Sequence, residues 1–322
     1  MEEIAHAAGI LRGGGLVAFP TETVYGLGAD ASNERGVARI FTAKGRPADH
    51  PIIIHLAATD ELERWARDIP AAAWSVAARF WPGPLTLILK RAPVVLNAVT
   101  GGQDTVGLRV PDHPVALALL NAFGGGIAAP SANRFGRVSP TSAAHVIAEF
   151  GNDVNCVIDG GACAVGLEST ILDLSGENPR LLRPGAVTLD ALAETLGELP
   201  TISATGAPRA PGCLPSHYSP DTPLRLVETA AIEPTVRSFL ALQQAVAVLS
   251  VHPPTTGADG CRWLVMPADA TEYGQVLYAR MREVDTWGCR CILVELPPAT
   301  IRWAAVRDRL WRAAAVDQEL GG

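Results

Sequence analysis

Lysine is scarce in this sequence. Only Lys44 and Lys90 are lysines among 26 basic residues in a chain of 322 residues, and the formal net charge is −7. A negative net charge argues against a protein whose main role is to coat nucleic acid, although it leaves room for a local basic cleft. Because lysine and arginine differ in geometry and hydration, each of the two lysines is a candidate functional residue.

Paired cysteines and long apolar runs are also missing. The six cysteines are scattered without a C-x-x-C pair, and no pair of histidines has the spacing of zinc ligands. We interpret the cysteines as buried or free thiols of a reducing compartment. No apolar run approaches the ~20 residues of a membrane span. The N-terminus lacks the basic and apolar segments of a signal peptide, so the sequence predicts a cytoplasmic protein.

The remaining composition is that of a globular protein. Hydrophobic residues make up 48% of the chain and charged residues 18%, which is enough apolar material for hydrophobic cores. The length suggests about two domains of ordinary size. Residues 1–197 alternate short apolar strands with helical segments, which predicts an α/β domain around a twisted mixed sheet. We see no internal repeat and no low-complexity tract.

A change in composition separates this first domain from the rest of the chain. Residues 198–222 are rich in proline and small residues and have no periodicity, which predicts a linker. Residues 223–322 alternate strands and helices again, which predicts a smaller Rossmann-like α/β domain. Its first strand is not followed by G-x-G-x-x-G, so we infer no nucleotide binding from that domain.

The individual elements follow from apolar runs and capping residues. The predicted strands of the first domain are LVAF, PIIIHL, LTLIL, VGLRV, GIAAP, CVID, STILDL and RLLR. One predicted helix is PVALALLNAF, with Asp112 and Pro114 at its start, and another is VTLDALAETLG, between Thr188 as N-cap and Gly197 as C-cap.

The second domain has the same kind of pattern. Its predicted strands are PLRLVE, AVAVLSV, RWLVMPA and CILVEL. Two helical faces are predicted to be packed against the core, because their apolar residues recur at helical spacing. They consist of Tyr273, Val276, Leu277, Met281 and Val284, and of Trp303, Val306, Leu310 and Ala314.

Polar residues gather at the ends of the first domain's predicted strands. The segment FPTETVYGLG, residues 19–28, places two threonines and a glutamate directly after a buried strand. The segment AKGRPADHPIIIHL places Lys44 and Arg46 on a tight loop before His50 and His55. A lysine supplies a point charge and an arginine a forked donor, a combination that suits a polyphosphate. Each segment taken alone also fits a solvated loop or a core histidine.

Four further segments extend this pattern. Arg109 interrupts the apolar strand VGLRV, and a buried arginine needs a carboxylate partner from the protein or from a ligand. Hydroxyl and amide donors suit phosphate or ribose oxygens. Such donors occur in IAAPSANRFGRVSPTSAAHV as Ser131, Asn133 and Ser139. The segment VGLESTILDL has Glu168, Ser169 and Thr170 at a strand start, and RLLRPG has Arg183 at a strand end.

These residues indicate an anionic ligand. Ligands of open α/β folds gather at strand ends, and the side chains expected there are cationic or hydroxylic. The sequence shows no obvious pair of nucleophile and base, no paired carboxylates at glycosidase-like positions and no set of metal ligands. We therefore predict a site for a phosphate-bearing substrate together with a molecule that carries a carboxylate.

The order of these motifs resembles one family closely. The segments FPTETVYGLGADA, KGRP with HPIIIHL, FWPGPLTLIL, VGLRVPDHP, APSAN, SPT, GLESTILDL and LLRPG are similar to the signature run of YrdC-type threonylcarbamoyl-AMP synthases. The resemblance covers most of residues 10–190. The HYSP segment of the linker and the C-terminal α/β unit resemble the longer, two-domain form of that family.

The resemblance implies an activity. Members of the family form L-threonylcarbamoyladenylate and pyrophosphate from L-threonine, bicarbonate or CO2, and ATP. A partner complex then transfers the threonylcarbamoyl group to an adenosine of certain tRNAs. Mg2+ is expected to bind through the ATP phosphates, because this ion is commonly held by substrate phosphates. The resemblance implies no membrane partner and leaves room for a weak contact with tRNA.

The resemblance also implies roles for individual residues. The implied L-threonine contacts are Thr23, His55, Arg109, Ala129 and Ser169. The implied ATP contacts are Lys44, Arg46, His50, Thr105, Ser131, Asn133, Ser139, Arg183, His217 and Tyr218, of which Lys44 and Arg46 are also the expected catalytic residues. The HY pair, His217 and Tyr218, is expected to fold back over the nucleotide. Relatives often have an amide or another polar residue at the position of His50. They commonly have basic or aromatic residues just before HY, where this chain reads APGCLPS.

Two other functions remain open on the sequence. One is a carbamoyltransferase domain of the hydrogenase-maturation kind, although the acylphosphatase segment and the zinc-finger cysteines of such chains are absent. The other is an RNA-binding or ribosome-assembly factor that uses the same cleft without synthase activity. An acidic chain with two lysines is a poor general RNA binder, but a groove lined by arginine would suffice for a local contact.

Overall fold

The computed structural model describes residues 2–202, 206–213, 217–255, 257 and 259–318. The chain divides into two units. The first comprises Met1–Phe135 and Ser139–Cys213, and the second comprises Gly136–Val138 and Leu214–Gly322. The predicted linker, residues 198–222, is therefore shared between the two units. Residues 206–213 belong to the first unit, where Arg183 Nη1 donates to the backbone oxygen of Pro211 at 2.9 Å.

A nine-stranded mixed sheet forms the centre of the first unit, in the order β7-β1-β2-β6-β3-β5-β4-β8-β9. The mixed sheet confirms the fold class predicted from the sequence. Its strands are β1 (Val17–Phe19), β2 (Gly26–Asp30), β3 (Ile53–His55), β4 (Leu85–Lys90), β5 (Thr105–Arg109), β6 (Ile127–Ala128), β7 (Cys156–Val157), β8 (Thr170–Asp173) and β9 (Arg180–Arg183).

The described residues of the first unit also form eight α-helices, the first of which precedes strand β1. They are α1 (Glu2–Arg12), α2 (Glu34–Lys44), α3 (Leu62–Trp65), α4 (Ala71–Phe80), α5 (Asn97–Thr100), α6 (Pro114–Phe123), α7 (Ala143–Phe150) and α8 (Leu189–Leu196). Two hydrophobic clusters form the core, one around Tyr25, Ile54 and Leu108 and the other around Phe19 and Leu119.

Capping explains where several of these helices begin and end. The side chain of Thr188 accepts from Ala191 N, and Gly197 follows α8 with a φ of 76°, as the sequence predicted. Asn33 caps α2 in the same way, and Gly45 ends it with a φ of 62°. This ending fixes Lys44 as the last residue of a rigid helix. Helix α6 begins at Pro114, as predicted, and its N-cap is His113, whose imidazole accepts from Val115 N, rather than Asp112.

Strand β2 was not predicted from the sequence, because its glycines resemble a loop. It pairs antiparallel with β1, so that FPTETVYG forms the connection between two neighbouring strands. A Cβ atom on Gly28 would lie 2.7 Å from Ile127 Cγ2 and 2.8 Å from Phe19 Cε1. Glycine is required here for close packing of side chains rather than for a turn.

The second unit contains a parallel four-stranded sheet in the order β10-β13-β11-β12. Its strands are β10 (Leu224–Val227), β11 (Val246–Ser250), β12 (Cys261–Val265) and β13 (Cys291–Glu295), and its helices are α9 (Thr229–Ala241), α10 (Ala270–Asp285) and α11 (Ala304–Gln318).

The two predicted helical faces of this unit are confirmed in all but one position. Val276 is half-buried and its neighbour Tyr278 is fully buried instead, while the other predicted residues are buried. Among the residues that the structure describes, no helix is both long and apolar enough to span a membrane.

Candidate substrate-binding site

Arg109 ends β5 in the interior of the first unit and is surrounded by polar groups. Its Nη1 donates to the hydroxyl of Thr23 at 2.8 Å, and its Nε donates to the backbone oxygen of Gly83 at 3.1 Å. Its Nη2 lies 2.6 Å from Glu22 Oε1. The protein therefore supplies the carboxylate whose source the sequence left open. Thr21 completes the group, because its hydroxyl lies 2.8 Å from that of Thr23 and donates to Val24 O.

His55 lies next to Arg109 in the sheet. The two residues are register partners in the parallel pairing of β3 with β5. The imidazole is buried and packs edge-to-face against Phe19, with ring centroids 5.8 Å apart. Burial, and then the positive charge of Arg109, lower the pKa of His55 to about 3. The side chain is therefore neutral at physiological pH.

Ser169 is held between two elements just before β8. Its hydroxyl lies 2.7 Å from that of Thr86 on β4 and accepts from Arg183 Nη2 at 3.1 Å. Arg183 Nε also donates to the backbone oxygen of Ser169 at 3.0 Å. This arrangement places one predicted threonine contact and one predicted ATP contact side by side.

Lys44 lies at the end of α2, where its ammonium group reaches the loop after β6. Nζ donates to the backbone oxygens of Ser131, at 2.6 Å, and of Asn133. Burial, and then the charge of Arg46, lower the pKa of Lys44 well below its ordinary value. Lys44 thus joins α2 to the APSAN loop, a structural contact that the sequence did not predict for a phosphate-binding lysine.

Arg46 and His50 lie on the loop that follows α2. Arg46 Nη2 donates to the backbone oxygen of Pro51 at 2.9 Å, and its guanidinium lies 5.7 Å from the ring centroid of Phe135. The imidazole of His50 packs against the same ring at 5.3 Å. Burial and the charge of Arg46 lower the pKa of His50. Phe135 therefore holds both predicted ATP contacts in one local group.

The remaining predicted residues of the first unit are more dispersed. The hydroxyl of Ser139 donates to Glu168 Oε1 at 2.6 Å. Ala129 is buried and its backbone N–H donates to Ile53 O at 2.8 Å. Thr105 opens β5, opposite Lys90 of β4. The roles that the resemblance implies for these residues stay predictions.

The HY pair lies within the second unit. Tyr218 is buried with a φ of 64°, and its ring stacks on Tyr278 with centroids 5.7 Å apart. The guanidinium of Arg309 lies 5.4 Å from the centroid of the same ring. The expected closure of His217 and Tyr218 over a nucleotide stays a prediction.

Sequence reasoning missed four members of the site: Thr21, Glu22, Gly83 and Thr86. Glu22 carried a weak signal, because it is an acid between two threonines directly after an apolar strand. Gly83 acts through its backbone oxygen and Thr86 lies within an apolar strand, so neither had a recognisable pattern. In the described part of the chain, no group of three or more histidine, cysteine, aspartate or glutamate side chains could hold a metal ion.

Comparison with known proteins gives this site its context. The family model Sua5_yciO_yrdC, described as "Telomere recombination", matches residues 9–185, and a model described as "Threonylcarbamoyl-AMP synthase, C-terminal domain" matches residues 187–315. The fold and site thus define a YrdC-type α/β protein with an added C-terminal domain. The chain belongs to the Sua5/YciO/YrdC family, since the first match covers more than half of it.

Individual relatives are similar over nearly the whole chain. A threonylcarbamoyl-AMP synthase of Pyrococcus abyssi is 41% identical over 97% of this chain and 94% of its own length. The Bacillus subtilis protein of the same name is 38% identical over 97% of this chain and 93% of its own length. The crystal structure of P. abyssi Sua5 complexed with L-threonine has a TM-score of 0.91 at 42% identity, covering 97% of this chain and 94% of that chain.

Proposed function

We propose that this protein is an L-threonylcarbamoyladenylate synthase. It would act as a nucleotidyltransferase that converts L-threonine, bicarbonate or CO2, and ATP into threonylcarbamoyl-AMP and pyrophosphate. The observation that carries the proposal is the buried Arg109, whose guanidinium is aligned with the hydroxyl of Thr23 at 2.8 Å. Support comes from the full-length similarity to proteins named threonylcarbamoyl-AMP synthase and to a relative crystallised with L-threonine.

The amino-acid side of the reaction is assigned to the strand ends around Arg109. A guanidinium is suited to bind the carboxylate of threonine through two parallel hydrogen bonds. The hydroxyls of Thr23 and Ser169, with Ala129 and neutral His55 as neighbours, would contact the remainder of the molecule. A site that hydrogen-bonds a substrate hydroxyl discriminates against analogues without one far better than an apolar pocket does.

We assign the binding of the ATP phosphates to the cationic side chains of the site. Arg46 and Arg183 would bind the phosphates together with Lys44, if the ammonium of Lys44 leaves one of its two carbonyl partners. His50, Thr105, Ser131, Asn133 and Ser139 would complete the nucleotide contacts, with His217 and Tyr218 closing over them. Mg2+ bound to the ATP phosphates would supply further neutralisation of charge.

The proposed chemistry needs no covalent intermediate with the enzyme. The ammonium group of threonine first loses a proton, and the resulting amine combines with CO2 to give a carbamate with loss of a second proton. A carbamate oxygen then attacks the α-phosphorus of ATP, the bond to the bridging oxygen breaks, and pyrophosphate leaves. Arg46 and Arg183 would act by holding the phosphates in line and by stabilising the developing negative charge. The labile product would pass to the complex that modifies tRNA.

The test is turnover of the purified full chain with Mg-ATP and bicarbonate, with and without L-threonine. We expect pyrophosphate and threonylcarbamoyl-AMP only when threonine and bicarbonate are both present. Arg46→Ala should lower turnover by roughly 100-fold or more, because it removes a charge that stabilises the transition state. Arg79→Ala, which removes an exposed arginine paired with Glu194, is the matched control. Absence of turnover together with RNA binding would instead favour a binding factor.

A further inference from the structure

The buried carboxylate of Glu22 accepts fewer hydrogen bonds than its two oxygens can accommodate. Its side chain is 6% exposed, and Oε1 lies 2.6 Å from Arg109 Nη2. Even so, neither carboxylate oxygen receives a hydrogen bond of good geometry from the described residues. Buried polar groups are nearly always hydrogen-bonded, and a carboxylate has about four acceptor positions. Glu22 therefore has acceptor capacity that the described part of the protein leaves unused.

Other buried acids of the first unit differ in this respect. Glu168 accepts from Ser139 Oγ at 2.6 Å, and Oδ1 of Asp173 accepts from both the backbone N and the hydroxyl of Ser175, although its Oδ2 accepts no hydrogen bond from the described residues. The unused acceptor capacity of Glu22 lies beside the strand ends that carry Arg109 and Thr23.

We propose that Glu22 binds the α-ammonium group of the amino-acid substrate, so that Glu22 and Arg109 together recognise its zwitterion. This inference rests on the proposed function. An α-amino acid presents a carboxylate and an ammonium group on the same carbon atom, and the Glu22–Arg109 ion pair presents the complementary charges 2.6 Å apart. Arg109 alone would bind the carboxylate but would leave a buried ammonium without a partner, which is costly.

The inference makes a prediction that a purely structural role does not. If Glu22 only orients Arg109, its loss lowers the affinity for every carboxylate ligand by the same factor. If Glu22 contacts the ammonium group, its loss weakens only ligands that carry one. L-Threonine and (R)-3-hydroxybutanoate form the required pair, because the second is threonine without the amino group and retains the carboxylate and the hydroxyl.

The experiment is calorimetric titration of both ligands into the full chain without ATP. We expect the wild-type protein to prefer L-threonine, and Glu22→Gln to weaken L-threonine binding by about tenfold or more, as for a hydrogen bond to a charged group. The affinity for (R)-3-hydroxybutanoate should stay equal or rise. Asp173→Asn is the matched control, since it also neutralises a buried carboxylate of the same sheet and should leave the preference unchanged.

Two outcomes would overturn the inference while leaving the proposed function intact. Equal losses for both ligands would show that Glu22 acts only through Arg109. Equal gains would show that Glu22 competes with the substrate carboxylate. If the wild-type protein binds neither ligand, the proposed substrate falls as well. Thermal unfolding is measured first, and if Glu22→Gln does not fold, Glu22→Asp replaces it and must lose part of the preference for L-threonine.

Discussion

Glu22 of the first unit and Glu295 of the second are both buried at strand ends, but their surroundings differ. Glu295 ends β13 and is 5% exposed. It accepts from the hydroxyls of Thr229 and Ser250, at 2.6 Å each, and from Val251 N at 2.9 Å and His252 Nδ1 at 2.8 Å. Among the described residues, Glu22 is ion-paired with Arg109, and neither of its carboxylate oxygens receives a hydrogen bond of good geometry.

This difference separates a structural carboxylate from a candidate binding group. Burial opposes ionisation of Glu295, but the hydrogen bonds from Ser250, Thr229 and His252 outweigh it and lower its pKa. The donors come from the end of β11, from the two residues after it and from the start of α9, so Glu295, at the end of β13, joins three elements. A carboxylate without such donors is available to a ligand. Similar burial therefore does not imply a similar role.

The largest effect is expected for Arg109→Ala. The substitution leaves Glu22 as a buried charge without its partner, which should lower the free energy of unfolding of the first unit by about 3–5 kcal/mol. Threonine-dependent turnover should be lost. Denaturant unfolding of Arg109→Ala is compared with that of the double variant Arg109→Ala/Glu22→Gln, which should recover part of the stability. If the double variant recovers no stability relative to Arg109→Ala, the unpaired charge of Glu22 is not the cause of the loss.

A somewhat smaller effect on stability is expected for Glu295→Ala. Removing the acceptor takes away the partner of the Thr229 hydroxyl and of the Val251 N–H group, while Ser250 keeps its contacts with the backbone of His252. The loss should cost about 2–4 kcal/mol in the unfolding of the second unit. Calorimetric titration should give an unchanged affinity for L-threonine, because the proposed amino-acid contacts belong to the first unit. A large change in that affinity would show that the comparison between the two carboxylates is wrong.

The pH dependence should also differ between the units. His55 has a pKa of about 3 when folded and near 6.5 when unfolded, so the unfolded state binds more protons between these values. Stability of the first unit is thus retained above pH 6.5 and lost as the pH falls, by up to about 2 kcal/mol between pH 6.5 and 5. His113, whose pKa is also lowered chiefly by burial, adds to this loss.

Denaturant unfolding at pH 7 and pH 5 measures this effect. For the first unit, the variant His55→Asn should reduce the difference between the free energies of unfolding measured at these two pH values. The second unit should change less in this range, because the lowered pKa of Glu295 places its titration below the ordinary value of 4.5. Equal pH dependence of wild type and variant would rule out His55 as the cause.

The smallest effect is expected for His252→Ala. His252 supplies one of the four hydrogen bonds to Glu295, but its side chain is 63% exposed. An exposed partner contributes little because water replaces it, so the free energy of unfolding should fall by less than about 1 kcal/mol. Comparison with Glu295→Ala by denaturant unfolding tests this ranking. An equal loss in the two variants would mean that the histidine, rather than the hydroxyls, holds the carboxylate.

Local patterns predicted much of the fold. Helix α8 followed from Thr188 and Gly197, and helix α10 followed from the spacing of Tyr273, Leu277 and Met281, because capping and helical periodicity are properties of adjacent residues. Strand β2 was missed because Gly28 is selected by contacts with Phe19 and Ile127 rather than by local conformation.

The candidate site was harder to predict than the fold. The cationic and hydroxylic side chains could be recognised by type, but their partners lie far apart in the sequence. Arg109 meets Glu22 only because β5 and the β1–β2 connection come together in the sheet. The carbonyl partners of Lys44 could not be predicted, since a backbone oxygen carries no sequence signal.

The scarcity of lysine has a practical consequence for labelling experiments. Lys90 is 43% exposed, whereas Lys44 is 3% exposed with its ammonium held by two carbonyls. An amine-directed reagent should therefore modify Lys90 quickly and Lys44 only when α2 separates from the APSAN loop. The rate of modification at Lys44, read by peptide mass spectrometry against Lys90 as internal standard, reports the opening of that contact without any introduced probe.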